Sequence, residues 1–117
     1  MRGLLLAGLL LGASAGWAET VSRGNGAVLR VLDKLTGDLQ DVELADGDAA
    51  PMGRLQVELA ECRYPEGNPS GDAYAFVTVR DTTGEPVFSG WMIASSPALN
   101  ALDHPRYDVW VIRCKTS

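Results

Sequence analysis

The sequence is poor in the residues from which metal sites and many catalytic centres are built. It contains one histidine and two cysteines among 117 residues. A zinc site needs three or four ligands, so one histidine and two cysteines argue against such a site. No cofactor is expected. Asp46 and Asp48 suggest calcium, but six or more oxygens are needed, so a solvated acidic loop is the better interpretation. The Gly-x-Ser-x-Gly pattern of many hydrolases is also missing.

Basic residues are scarce relative to acidic ones. The chain has 10 lysines and arginines against 15 aspartates and glutamates, a formal net charge of −5 at pH 7. Phosphate backbones and anionic lipids repel an acidic protein. Nucleic acid and membrane surfaces are therefore not expected as partners.

Long hydrophobic runs are missing except at the start of the chain. Residues 3–12 (GLLLAGLLLG) follow Met1 and Arg2, and residues 13–18 (ASAGWA) are mostly small. The apolar run is about half of the roughly 20 residues that a membrane span requires. This pattern predicts a cleavable signal peptide over residues 1–18 and no membrane anchor after cleavage. Residues 19–26 are then a flexible leader, and residues 27–117 form a single β domain.

Two cysteines, Cys62 and Cys114, lie in the predicted mature protein. In an oxidising compartment we expect them to form one disulfide, with two free thiols or a metal site as the alternatives. Their wide separation, without a Cys-x-x-Cys arrangement, favours a structural bond over a redox-active one.

Short β-rich segments separated by turn residues make up the rest of the chain. This pattern is typical of a mainly β fold, a small antiparallel sandwich or barrel. The alternation of Leu55, Val57 and Leu59 places Cys62 on the opposite face, unless the strand bulges near Ala60 and Glu61. The last strand is apolar on both faces, which predicts a central position. About six strands are expected, over residues 27–33, 39–44, 54–62, 73–81, 86–93 and 106–115.

The segment between the last two strands has a different composition. Ser96 can cap a helical turn that begins at Pro97, and residues 98–102 suit one or two turns. Pro105 ends this segment and favours an extended conformation at His104. The sequence therefore predicts one short helix before the last strand.

Residues 88–111 (FSGWMIASSPALNALDHPRYDVWV) carry a family resemblance. The stretch resembles an uncharacterised family catalogued as domain of unknown function 2155, found mainly in alphaproteobacteria. Residues 32–37 (LDKLTG) are similar to the opening hairpin of that family, and Cys62 stands where the family has a cysteine. The resemblance covers residues 27–115. It implies an exported, periplasmic protein of Gram-negative bacteria, but no activity and no catalytic residues.

The aromatic residues of the last three strands supply the candidate binding residues. Most large rings must be buried in so small a domain, and an exposed one would mark a partner surface. Trp91 and Met92 are preferred because Gly90 beside them indicates an irregular strand. The candidates for a partner surface are Trp91, Met92, Ser95, Ser96, Asn100, His104 and Tyr107.

Three functions are compatible with these patterns. The favoured one is a non-catalytic periplasmic module that binds another cell-envelope protein. The alternatives are a small-molecule or glycan binder and, with less support, a hydrolase around His104. Ser95, Ser96 and Asp108 would complete such a catalytic group, although proximity in sequence rarely produces triad geometry.

Overall fold

A computed structural model describes residues 20–116 of the chain, which form eight β-strands and no helix. The predicted mainly β fold is therefore confirmed. The predicted signal peptide, residues 1–18, lies outside the described residues. The strands are β1 (Val21–Arg23), β2 (Gly26–Asp33), β3 (Leu39–Ala45), β4 (Ala49–Met52), β5 (Leu55–Pro65), β6 (Tyr74–Arg80), β7 (Pro86–Ile93) and β8 (Tyr107–Lys115).

The strands form two antiparallel sheets rather than a closed barrel. The large sheet has the order β1-β5-β6-β7, with β4 also paired to β5. The small sheet has the order β3-β2-β8. The two sheets pack face to face, with β8 against β5, β6 and β7 and with β2 against β5. The core between them consists largely of alternate residues from each strand, as a half-buried sheet requires.

A bulge in β5 places Cys62 in this core. Leu55, Val57 and Leu59 point inward, and the pairing with β6 shifts register between Leu59 and Glu61. The extra residue reverses the alternation, so Cys62 also points inward and is fully buried. Its sulfur lies 2.03 Å from that of Cys114 in β8, a disulfide that joins the two sheets.

The last strand does not have the predicted central position. Within the described part of the chain, β8 is an edge of the small sheet and pairs only with β2. A second bulge, at Ile112 of β8 where the pairing with Val28 and Leu29 shifts register, turns Cys114 inward together with Val109 and Val111. The apolar residues on the other face, Trp110 and Ile112, are half-exposed.

The predicted short helix between the last two strands is wrong. Residues 97–99 form a turn, in which the Leu99 amide donates to the Ser96 carbonyl at 3.0 Å. The Asn100 side chain donates instead to the backbone carbonyl of Trp91, at 2.8 Å, and ties the segment to β7. Because a helix this short gains few hydrogen bonds for its ordering cost, this tertiary contact outweighs helix propensity.

Two segments that we predicted to be loop or leader contain strands. Within the predicted leader, residues 21–23 form β1, which pairs with the end of β5. Gly24 then crosses to the small sheet, and its amide donates to the Cys62 carbonyl at 2.7 Å. Within the predicted loop 45–53, residues 49–52 form β4, which pairs with the beginning of β5. Both short strands add to the same edge of the large sheet.

Candidate partner-docking surface

Trp91 lies on the outer face of the large sheet and is 37% exposed. It stands directly opposite Phe76 in the pairing of β6 and β7. The two rings meet edge to face, with centroids 5.4 Å apart and planes at 79°. The Arg63 guanidinium lies over the indole, 5.5 Å from its centroid, which adds a cation–π contact. We call Trp91, Phe76 and Arg63 the tryptophan patch.

A row of ion pairs holds the arginine of this patch. An Arg63 nitrogen lies 2.7 Å from Oε1 of Glu61, and Arg23 lies 3.3 Å from the other oxygen of the same carboxylate. Arg23 in turn binds Asp46 at 3.1 Å. Single exposed ion pairs contribute little, but linked charges constrain one another. This row therefore ties β1 to β5 and keeps Arg63 above Trp91.

Met92 and Tyr107 belong to the core rather than to the surface. Each side chain is only 3% exposed. Met92 points away from its neighbour Trp91 because successive residues of a strand face opposite sides of the sheet. The Tyr107 hydroxyl accepts a hydrogen bond from the Arg54 amide at 3.2 Å. Neither side chain is available to a partner.

Ser95 is engaged with a carboxylate at the end of β7. Its amide and its hydroxyl donate to the two oxygens of Asp72, at 2.9 and 2.6 Å. Burial alone raises the pKa of Asp72, but hydrogen bonds from Ser95 and from the Ala73 amide outweigh it and lower the pKa overall. Ser96 lies in the neighbouring turn, where its amide donates to the Ile93 carbonyl at 3.1 Å.

His104 is used in the bend that leads into β8. Its Nδ1 accepts the amides of Arg106 and Tyr107, at 3.0 and 3.2 Å. Asp108, the carboxylate of the suggested catalytic group, has Oδ1 3.5 Å from the Lys34 ammonium. Ser95, His104 and Asp108 are therefore each bonded to a different neighbour, which is not the geometry of a catalytic relay.

An apolar cleft lies beside these residues. It has a volume of about 370 Å³ and separates the segment 97–102 from the exposed edge of β8. Leu102 and Val109 are the buried residues of the cleft, and the carboxylate of Asp108 is the charged group among the lining residues. The lining consists of Pro97, Ala98, Ala101, Leu102, Asp108, Val109 and Trp110.

A family model described as an uncharacterized protein conserved in bacteria, DUF2155, matches residues 27–114. The chain belongs to this family. The matched residues run from β2 into β8 and include both cysteines, the tryptophan patch and the cleft. The family resemblance found in the sequence is confirmed.

An uncharacterized protein of Rickettsia prowazekii (strain Madrid E) is 27% identical over 101 residues. The alignment covers 83% of this DUF2155 chain and 64% of the relative, so the chain spans less than two thirds of that protein. No solved structure matches the chain.

Neither a metal-binding cluster nor a membrane-crossing helix is found in residues 20–116 of this DUF2155 protein. In that part of the chain, no group of three or more His, Cys, Asp or Glu residues is placed to hold a metal ion. No helix in the same residues is long and apolar enough to cross a membrane.

Sequence reasoning missed two members of the tryptophan patch, Phe76 and Arg63. They are 15 and 28 positions away from Trp91 in the sequence, and the strand register brings all three together. The alternating pattern of β6 was a usable signal. Because Ala75 and Val77 point into the core, the alternation places the Phe76 side chain between them on the outer face of the sheet.

Proposed function

We propose that this DUF2155 protein is a non-catalytic periplasmic module that docks on another cell-envelope protein through the tryptophan patch. The amino-terminal sequence supports export, and a disulfide between Cys62 and Cys114 is compatible with an oxidising compartment. The observation that carries the proposal is the partly exposed Trp91 ring, held between Phe76 and Arg63.

Tryptophan and arginine are the residues that most often dominate protein–protein binding energy. Here the indole is already positioned by Phe76 and Arg63, and the hydrogen bond from Asn100 to the Trp91 carbonyl holds the backbone beneath it. A pre-ordered side chain loses less conformational entropy when a partner covers it. An exposed but immobilised tryptophan is therefore suited to anchor an interface.

In-cell cross-linking of the tagged protein at its native expression level, followed by mass spectrometry, tests this function. We expect one dominant envelope protein in the cross-linked material. Trp91→Ala should remove it, because loss of an interface anchor weakens binding by about 2 kcal/mol or more, roughly 30-fold. Arg63→Gln should reduce it without altering the core.

Leu35→Ala is the matched control, because Leu35 is an exposed apolar residue in the turn between β2 and β3, away from the patch. This variant should leave the cross-links intact. Thermal unfolding of each variant verifies that it is folded. Cross-links that survive Trp91→Ala, or only self-links in the wild type, would contradict the proposal.

A small-molecule or glycan binder is the alternative, with the cleft beside β8 as its site. Small-ligand sites combine apolar walls with several convergent polar groups. The cleft lining supplies one carboxylate, Asp108, and otherwise apolar side chains. This chemistry suits a glycan poorly, and a thermal-shift screen against glycans and periplasmic metabolites separates the two functions.

The hydrolase alternative has less support from the geometry. The Ser95 hydroxyl is committed to Asp72, and Nδ1 of His104 is committed to two backbone amides. If His104→Ala fails to complement a deletion strain while remaining folded, the hydrolase would return as a candidate.

A further inference from the structure

The edge of β8 that faces away from β2 is open in the described structure. Within residues 20–116, β8 pairs only with β2. An unpaired strand edge presents a row of amide and carbonyl groups to which another extended chain can add. The segment 97–102 lies beside this edge but is separated from it by the cleft.

The register identifies the backbone groups that face the cleft. The Lys34 amide donates to the Arg106 carbonyl at 2.7 Å, which marks a hydrogen-bonded pair at the start of the ladder. Hydrogen-bonded and non-hydrogen-bonded pairs alternate along antiparallel strands. Counting from Lys34 and Arg106, the pair of Val31 and Val109 is non-hydrogen-bonded. The amide and carbonyl of Val109 therefore point toward the cleft.

The outer wall of the cleft is held in place before any ligand arrives. Leu102 is buried in the core, and the Asn100 side chain is bonded to the Trp91 carbonyl. These two contacts fix the position of residues 97–102 relative to the domain.

Charge and polarity define the chemistry of the occupant. The cleft walls are apolar, and Asp108 supplies a partly exposed carboxylate at the open edge. The chain as a whole carries a net charge of −5. A segment that alternates apolar and basic residues would bury its apolar side chains against the walls and share Asp108 with Lys34, whose ammonium lies 3.5 Å from Oδ1.

We propose that the cleft binds an extended apolar and basic segment of a partner protein, which adds as a strand to the open edge of β8. This inference rests on the proposed docking function and names the second contact that the partner makes. The Val109 backbone supplies the hydrogen bonds, and residues 97–102 enclose the segment from the other side. Strand addition of this kind draws its affinity from the main chain and its specificity from side-chain pockets.

The test uses the isotope-labelled exported protein and a six-residue peptide of alternating lysine and valine. We expect shifts of the backbone amide signals of residues 97–102 and 107–111. A peptide of alternating glutamate and valine should bind at least about tenfold more weakly than the lysine peptide. Ala101→Arg fills the cleft and should weaken binding of the lysine peptide by about tenfold or more.

Ala60→Arg is the matched control, because Ala60 is an exposed alanine on β5 outside the cleft, and it should leave binding unchanged. Equal binding of the two peptides, shifts confined to the other open edge at β3, or no binding at about 1 mM would overturn the inference. Cross-linking in cells separates it from the proposed function. A partner that is lost with Trp91→Ala but retained with Ala101→Arg leaves the docking function standing and removes the cleft from it.

Discussion

The disulfide between Cys62 and Cys114 should supply a large part of the stability of this domain. The bond closes a loop of 52 residues. On the chain-entropy model, a loop of this length removes about 4 kcal/mol of conformational freedom from the unfolded chain. Domains of this size are stable by about 5–15 kcal/mol in total. The reduced protein should therefore retain only about 1–11 kcal/mol of stability.

Urea unfolding of the oxidised and the reduced wild-type protein measures this contribution. Both cysteines are buried, so reduction is carried out in denaturant before refolding under reducing conditions. We expect a loss of about 4 kcal/mol, which lowers the unfolding midpoint by roughly 2–4 M urea at a slope of about 1–2 kcal/mol/M.

The reduced protein is its own packing control, because it keeps both sulfur atoms. The double variant Cys62→Ala and Cys114→Ala should lose at least as much stability, since it also leaves a small cavity. A loss below about 1 kcal/mol on reduction would refute the reasoning. It would mean that the unfolded chain is already restricted or that the bond introduces strain.

Two further predictions concern the ends of β2. Gly24→Ala should destabilise the protein by about 1–3 kcal/mol in urea unfolding, because its Cβ would lie 2.6 Å from the Lys115 carbonyl oxygen; wild-type stability in this variant would contradict the close approach. Hydrogen bonds from Arg106 lower the pKa of Asp33 from 3.8 to about 2. The folding stability that ionised Asp33 contributes is therefore complete above pH 3.8 and is lost as the pH falls through about 2. Asp33→Asn should therefore lower stability at pH 7 and flatten its pH dependence in that interval, and an unchanged acid-unfolding curve would count against the pair.

The six longer strands could be predicted because each carries its own pattern. Alternation in β5 and β6, with turn residues between segments, is a local property of the sequence. The strands β1 and β4 have only three and four residues, and β4 contains Pro51. Each forms because it pairs with the free edge of β5. The local sequence of β1 or β4 alone therefore could not predict it.

The candidate surface was predictable only in part. Trp91 and Met92 are neighbours, so the strand must bury one and expose the other. The sequence does not decide which, because both are large and apolar. The register with β6 decides it by placing Trp91 opposite Phe76 and Met92 opposite the buried Ala75. The cleft was hidden for a similar reason, since it depends on how residues 97–102 lie against β8.

The pairing of β2 with β8 joins the two ends of the domain. A chain that is delivered with its amino terminus first, from a ribosome or a translocation channel, presents β2 long before β8 is available. During that interval the hairpin of β2 and β3 exposes Ala27, Leu29 and Val31, which are buried in the finished protein. Non-local pairing of this kind slows folding. Until residues 107–115 emerge, the half-made domain therefore carries both the unpaired edge of β2 and an exposed apolar face.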